Sequence, residues 1–213
     1  MKIKLIAILL VSSTFISGCF ERGKFEYVTT IDQTFKYTLD KSGEFSESST
    51  LTSNEIARKV LDLDLADDFI IKEVNIKKVG MKFNFGSGST ADAIQYRVFV
   101  GNASGRDPFL SADGSQSHIP TDFFGQIGVE FAVTQFLNNK GAGTVKRVLS
   151  EVLVGNSEVY GVNNGKSYRM DLEGIVPNGK RLVGTIDLIL DVDVTYETCE
   201  EVPIGFAEEE CIF

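Results

Sequence analysis

Apolar and polar residues alternate over much of this chain, and a period of two predicts β-strands because successive strand side chains point to opposite faces. The longest alternation lies near the C-terminus, where the apolar positions are Ile186, Leu188, Leu190, Val192, Val194 and Tyr196. Three of the intervening positions are Asp187, Asp191 and Asp193, which predicts one buried and one wetted face. Shorter alternations occupy residues 25–31, 35–39, 94–100 and 127–133.

Between Ile70 and Phe85 the alternation changes phase. Val74 and Ile76 share one parity, whereas Val79 and Met81 share the other. An extra residue in one strand produces such a shift, so we predict a β-bulge or a turn near Lys77-Lys78.

Two segments have helical spacing instead. Thr52-Ser53-Asn54-Glu55 has the form of a capping box, in which side chains at both ends satisfy the free amides of a helix start. Thr144 can cap a second helix, whose apolar positions follow at i, i+3, i+4 and i+7: Val145, Val148, Leu149 and Val152. The preceding residues 138–141 read as a turn.

Residues 101–120 are rich in Gly, Ser, Asp and Asn. Pro108 and Pro120 lie within this segment, and proline lacks the amide that a strand ladder needs. We therefore predict a long surface loop here, and loops of this length often carry function.

About nine strand signals and two helical segments indicate a mainly β protein. The best match is an antiparallel β-sandwich, Ig-like or related, with one or two short helices. A lipocalin-like β-barrel is the alternative. Because the sequence has no internal repeat and no compositional break, we expect a single β-rich domain over residues 25–213.

The first 18 residues follow a different pattern. Lys2 and Lys4 precede the apolar run 5–11, which is typical of a secretory signal and shorter than the roughly 20 residues of a membrane-spanning helix. Ile16-Ser17-Gly18-Cys19 then resembles the lipobox of bacterial lipoproteins, the motif read by the lipoprotein signal peptidase. This resemblance covers residues 1–19 only.

The resemblance implies that residues 1–18 are removed and that Cys19 carries a diacylglycerol thioether and an acylated amino terminus, palmitate being one such acyl chain. Each buried CH₂ then contributes about 0.8 kcal/mol to a permanent membrane anchor. Residues 19–24 are expected to form a lipidated tether. In Gram-negative lipoproteins an aspartate after the cysteine favours the inner membrane, so Phe20 indicates the outer membrane. In a Gram-positive source the same signal implies the outer face of the single membrane.

Acidic residues outnumber basic ones by 30 to 21, and the net charge is −9. Removal of residues 1–18 takes Lys2 and Lys4 with it, which leaves 19 basic residues and a charge of −11. Such a surface repels phosphate backbones, which argues against nucleic acid as a partner. No cofactor-binding motif is present, since no glycine-rich phosphate loop opens a helix.

The remaining cysteines are Cys199 and Cys211, and two cysteines in an oxidising compartment predict a disulfide. A zinc site is the alternative. Zinc takes three or four protein ligands, and His118 is the only histidine that could join them.

His118 is also the only candidate base for a hydrolytic triad. It lies in Ser115-Gln116-Ser117-His118 within the predicted loop, and we expect it to be solvated, so we assign no catalytic residue. Asp187, Asp191 and Asp193 share one strand face at intervals of about 6.5 to 7 Å, which makes them weak candidates for a calcium site.

These observations favour a non-enzymatic, lipid-anchored protein of the cell envelope that presents a β-sandwich to an envelope or extracellular protein or to a glycan. A carrier that holds a small lipophilic ligand inside a β-barrel is one alternative, suggested by the 16 phenylalanines. An envelope hydrolase that uses His118 is another.

Overall fold

The computed structural model describes residues 20–63, 69–102, 105–113, 116–122, 127–153, 167–203 and 211. Cys19 and Ser115 lie outside these ranges. The described strands are β1 (Phe20–Lys41), β2 (Glu44–Thr52), β3 (Ile70–Phe85), β4 (Ala93–Asn102), β5 (Gly105–Leu110), β6 (Ile119–Asp122), β7 (Glu130–Ala132), β8 (Ser167–Ile175) and β9 (Leu182–Pro203). The helices are α1 (Ser53–Leu61) and α2 (Asn139–Leu153), with a 3₁₀ turn at Thr134–Phe136.

The strands form two antiparallel sheets that pack face to face. Sheet A has the order β1-β9-β3-β7, and sheet B has the order β2-β8-β4-β5 with β6 also pairing with β4. Three of the connections between the sheets are short, at residues 42–43, 86–92 and 176–181. The predicted antiparallel β-sandwich is confirmed, and the alternative of a closed lipocalin-like barrel is wrong.

Strands β1 and β9 pair along their whole length, from Phe20 opposite Pro203 to Lys41 opposite Leu182. The alternation predicted for β9 is confirmed, since the side chains of Ile186, Leu188, Leu190, Val192 and Val194 are all buried. The sequence predicts a tether over residues 19–24, but the described part of that range is a strand. Residues 20–24 belong to β1 because their backbone pairs with residues 199–203.

Side chains from both sheets fill the interior. In the described part of the chain, a small apolar cavity between the sheets and helices has a volume of about 20 Å³, with Phe35, Ile56 and Leu149 among its lining residues. That volume is close to what one water molecule needs. The barrel interior expected of a lipophilic-ligand carrier is therefore replaced by a packed core.

The phase change in β3 is confirmed as a bulge. The pairing of β3 with β9 shifts register between Ile76 and Lys78, and a second shift lies between Ile71 and Glu73. Each shift adds one residue to β3, so the apolar side chains on both sides of it still face the core.

Helix α1 begins as its sequence predicts. The Thr52 hydroxyl accepts a hydrogen bond from the Glu55 amide (3.3 Å), and the Glu55 carboxylate accepts one from the Thr52 amide (2.8 Å). This reciprocal pair satisfies two amides that the helix itself cannot. Ile56 and Val60 then face the core.

Helix α2 starts at Asn139, five residues before Thr144, the predicted cap, and residues 139–141 are helical rather than part of a turn. The Asn138 side chain caps this first turn by accepting from the Lys140 amide (3.0 Å). A Cβ at Gly141 would lie 2.2 Å from the Pro108 carbonyl oxygen, so the missing side chain allows α2 to approach β5. No described helix is long and apolar enough to span a membrane.

Two strand predictions need correction. The predicted loop over 101–120 contains β5 and the start of β6, because Pro108 lies opposite Phe99 beside a register shift, where a missing amide is tolerated. Conversely, only Glu130–Ala132 of the predicted strand over 127–133 forms a strand, and Ile127 makes an isolated parallel bridge to Phe83. Gly128 has a φ of +77°, which interrupts the ladder and leaves the side chain of Ile127 55% exposed.

Candidate functional site

A groove of about 400 Å³ lies on the outer face of sheet B. It is lined by Glu44, Phe45, Ser46, Arg97, His118, Glu173, Gly174 and Ile175. Strands β2, β8 and β4 supply its base, with Ser46 paired to Glu173 and Glu173 paired to Arg97 in register. His118 is contributed by the segment that precedes β6. We call this feature the sheet B groove.

Ion pairs hold the wall of the groove in place. The Glu173 carboxylate accepts from Arg97 Nε (3.0 Å) and Nη2 (2.8 Å) and from Arg106 Nη2 (2.7 Å). Burial alone would raise the pKa of Glu173, but the hydrogen bonds from Arg106 and Arg97 outweigh it and hold the pKa below its ordinary value. Glu173 is therefore ionised and fixed in orientation at neutral pH.

A second carboxylate extends this frame along β8. Asp171 accepts from Ser48 (2.6 Å), Arg106 Nε (3.1 Å) and Arg169 Nε (2.9 Å), and its side chain is only 5% exposed. A buried carboxylate requires such partners because its desolvation is otherwise costly. Arg106 thus joins Asp171 to Glu173.

Phe99 lies on the same outer face, yet its ring is almost fully covered. The Arg97 and Arg106 guanidinium carbons lie 5.1 Å and 4.4 Å from the ring centroid. Cations at these distances are attracted to the face of an aromatic ring. Phe99 therefore fixes the two arginines that hold Glu173.

His118 is half-buried, which corrects the expectation of a solvated loop residue. Burial lowers the pKa of its imidazole below 6.5, Arg97 lowers it further, and Glu173 and Glu44 partly offset these effects. The ring is thus neutral at pH 7. Arg97 also donates from Nη1 to the Gln116 carbonyl (2.9 Å) and so ties this segment to the sheet.

The serines beside His118 in sequence are placed differently. Ser117 donates to the Asp113 carboxylate (2.8 Å), and Ser115 lies outside the described residues. Within the described ranges, no serine hydroxyl is hydrogen-bonded to His118.

Three side chains of the groove remain uncommitted. No hydrogen bond within the described part of the chain involves the Glu44 carboxylate, the Ser46 hydroxyl or the His118 ring nitrogens. Arg97 and Glu173, by contrast, each have two partners. Arg97 donates to Glu173 and to the Gln116 carbonyl, and Glu173 accepts from Arg97 and Arg106. The groove thus combines a rigid charged wall with free donors and acceptors.

The predicted calcium candidates lie on the outer face of sheet A, away from the groove. Asp193 accepts from Thr30 (2.6 Å) and from Lys77 (3.2 Å), and the hydrogen bond from Thr30 is the main cause that lowers its pKa. Asp187 accepts from Asn84 (3.2 Å). The described residues contain no cluster of three or more metal-binding side chains.

Asp191 has a different neighbourhood on that face. It pairs in register with Asp32 of β1 on one side and with Lys78 of β3 on the other. Its charge adds to that of Glu130 in raising the pKa of Lys78, so this lysine partly balances Asp191.

The predicted disulfide is confirmed between Cys199 and Cys211, with an S–S distance of 2.02 Å. Cys199 pairs with Lys24 in the β1–β9 ladder, and the Cys211 amide donates to the Arg22 carbonyl (3.3 Å). The bridge therefore fixes residue 211 beside the first residues of β1. The zinc alternative for these cysteines is wrong because their sulfurs bind each other.

Sequence reasoning missed most of the groove. Arg97, Phe99, Asp171 and Glu173 occupy the outward positions of β4 and β8, where polar residues are expected anyway. The one available signal was the phenylalanine at an outward position of β4. Its meaning depends on the neighbouring strands, whose order is not evident from the sequence.

Comparison with known proteins identifies no relative by sequence. No family model matches the chain, and no curated protein matches it either. Among solved structures, turnip yellow mosaic virus matches with 11% identity and a TM-score of 0.27 over 84% of this chain and 85% of that one. The decameric BFDV capsid protein matches with 11% identity and a TM-score of 0.35 over 81% and 98%. TM-scores this low carry no argument about function.

Proposed function

We propose that this chain is a lipid-anchored, non-enzymatic protein of the cell envelope that binds a partner in the sheet B groove. The observation that carries the proposal is the set of three uncommitted polar groups, Glu44, Ser46 and His118, in a groove whose wall is already fixed by ion pairs. A prearranged site loses less freedom on binding than a flexible one.

The position of the groove along the molecule supports this proposal. The proposed lipid site, Cys19, directly precedes β1, and the groove begins at Glu44, just after β1 ends at Lys41. A strand rises about 3.3 Å per residue, so the 22 residues of β1 separate the two by about 70 Å. An anchor at residue 19 would leave the groove well away from the membrane surface.

The anchor is tested by replacing the cysteine. We expect Cys19→Ala to abolish incorporation of a radiolabelled palmitate precursor and to release the protein from washed membranes. Cys211→Ser serves as the control because it removes a cysteine that the proposal does not lipidate. Undiminished labelling of Cys19→Ala would disprove lipidation at this residue.

The groove is tested by site-specific photo-crosslinking in intact cells. A photoreactive residue at position 46 lines the groove, whereas one at position 50 lies on the same face of β2 but outside it. We expect a discrete crosslinked product from position 46 only, and we expect Glu44→Ala to remove it. Equal products from both positions, or none from either, would show that the groove is not the binding surface.

A further inference from the structure

We propose that the ligand of the sheet B groove is an uncharged, polyhydroxylated molecule, that is, a stretch of neutral glycan. This inference rests on the proposed function, since it requires the groove to be a binding site. It is carried by the charge balance of the groove, by the type of its free polar groups and by its apolar surfaces.

The charges of the groove disfavour ions of either sign. Arg97 and Glu173 neutralise each other, so an incoming anion meets the uncompensated carboxylate of Glu44. Arg97, Arg106 and Arg169 equal in number the carboxylates Glu44, Asp171 and Glu173, so an incoming cation finds no net negative charge and lies close to Arg97. Like charges in partly desolvated surroundings are strongly unfavourable, whereas a neutral ligand avoids both penalties.

The free polar groups suit hydroxyls. The Glu44 carboxylate only accepts hydrogen bonds, the Ser46 hydroxyl donates and accepts, and a neutral His118 ring has one donor and one acceptor nitrogen. A sugar hydroxyl both donates and accepts, so one molecule with several hydroxyls satisfies all three side chains. A simple ammonium group only donates and would leave the imidazole donor unsatisfied.

Apolar surfaces complete the site. Ile175 and Phe45 line the groove, and the Phe45 ring lies against Gly174, where a Cβ would come within 2.4 Å of its Cζ. The Phe45 ring already fills the space that a Gly174 side chain would take, and Phe45 is mostly buried in the core, so Ile175 is the main apolar surface left for the C–H face of a sugar ring. The volume of about 400 Å³ is within the range of small-molecule sites.

The test is a binding assay on an array that holds three sets of oligosaccharides of matched length. The first set is uncharged, the second carries amino groups, and the third carries carboxylates. The full-length protein is applied in detergent. We expect retention on neutral oligosaccharides that exceeds retention on both charged sets by at least about tenfold. Ser46→Trp should abolish this retention by filling the groove, and Thr50→Trp, on the same strand face outside it, should leave it unchanged.

Three outcomes overturn the inference: no retention on neutral oligosaccharides, preferential retention on either charged set, or equal retention by Ser46→Trp. Crosslinking from position 46 separates this failure from that of the proposed function. A crosslinked product that contains protein without glycan, together with a blank array, would leave the groove a binding site and show that its ligand is not a glycan.

Discussion

Arg106 connects two acidic groups, the buried Asp171 and the half-buried Glu173, through one planar side chain. Its Nε contacts Asp171, its Nη2 contacts Glu173, and its guanidinium carbon lies 4.4 Å from the centre of the Phe99 ring. Arginine suits this position because its donors have a fixed fork geometry and its plane stacks on an aromatic face. Lysine has neither property.

Replacement of Arg106 by glutamine should therefore destabilise the fold. Asp171 would keep Ser48 and Arg169 but lose its partner on the β5 side, and hydrogen bonds to charged groups contribute about 1.5 to 3 kcal/mol. We expect the free energy of unfolding, measured by urea titration, to fall by about that amount. Arg147→Gln is the control, because its pair with Glu151 is exposed on α2 and contributes a few tenths of a kcal/mol. If both variants lost the same free energy of unfolding, the contacts of Arg106 would contribute no more than an exposed ion pair does.

His118 gives the protein a specific pH response. Because burial and Arg97 lower the pKa of its imidazole, the unfolded chain takes up a proton below pH 6.5 before the folded chain does. Stability should therefore fall as the pH drops below 6.5, and this ring adds no pH dependence above that value. We expect His118→Gln to lose the acid-dependent component when unfolding is compared between pH 7 and pH 5.5.

Proton NMR tests the same point directly, since His118 is the only histidine in the chain. Its ring resonances should titrate with a midpoint below 6.5. A midpoint at or above 6.5 would show that the groove does not shield the imidazole.

At the level of single residues, local rules were predictive and long-range ones were not. Thr52 and Glu55 form their capping box because both partners lie within four residues. Glu173 and Arg97 are 76 residues apart and meet only because β8 pairs with β4. The pattern of each strand shows which face a residue takes but not which strand lies next to it.

Helix α2 packs against sheet B through glycine and a buried carboxylate. Asp107 of β5 accepts from Thr144 (2.8 Å) and Lys140 (2.9 Å), and Gly141 lies against the β5 backbone. The sequence rule for helix starts favoured Thr144 as a cap. Thr144 instead bonds to Asp107, and Asn138 caps the helix.

Two glycines of α2, two residues apart, allow a matched test of this contact. A Cβ at Gly141 would meet the Pro108 oxygen at 2.2 Å, whereas a Cβ at Gly143 would meet nothing within 4 Å. We expect Gly141→Ala to lower the free energy of unfolding by about 1 to 3 kcal/mol and Gly143→Ala to raise it by about 0.5 to 1 kcal/mol. A gain of stability in both variants would show that α2 does not lie as close to β5 as described.

Strand prediction failed where an element lies at a sheet edge. Strand β5 was hidden by Pro108, which an edge position beside a bulge accommodates. The opposite error occurred over residues 127–133. The apolar alternation there predicts a strand with a buried face, yet Val129 is 56% exposed. Periodicity identifies segments that can be strands, and the availability of a partner decides whether they are.

The two outer faces of the sandwich differ in how their charges are arranged. On sheet A, lysines of the flanking strands reach the acids of β9, as where Glu197 contacts Lys24 (3.1 Å) and Lys72 (2.5 Å). Asp187 and Asp193 on this face likewise have non-acidic partners, Asn84 for the first and Thr30 and Lys77 for the second. On sheet B, arginines and carboxylates lie at the side of a groove that leaves three polar groups free.

The orientation implied by the proposed anchor can be measured on liposomes. A fluorophore at Gly43 marks the groove end of β1, and one at Glu26 marks the end near residue 19. With the lipidated protein in vesicles that contain a head-group quencher, we expect strong quenching at position 26 and little at position 43. Equal quenching at both positions would show that the sandwich lies flat on the membrane.

The continuous pairing of β1 with β9 has a mechanical consequence. A force applied between residue 19 and a ligand in the groove would run along β1, parallel to a strand paired over 22 residues. The backbone hydrogen bonds of the ladder would then be loaded together in shear instead of opening one after another. The sandwich would therefore resist tension along β1, and the Cys199–Cys211 bridge lies at the end of the ladder that is next to the proposed anchor.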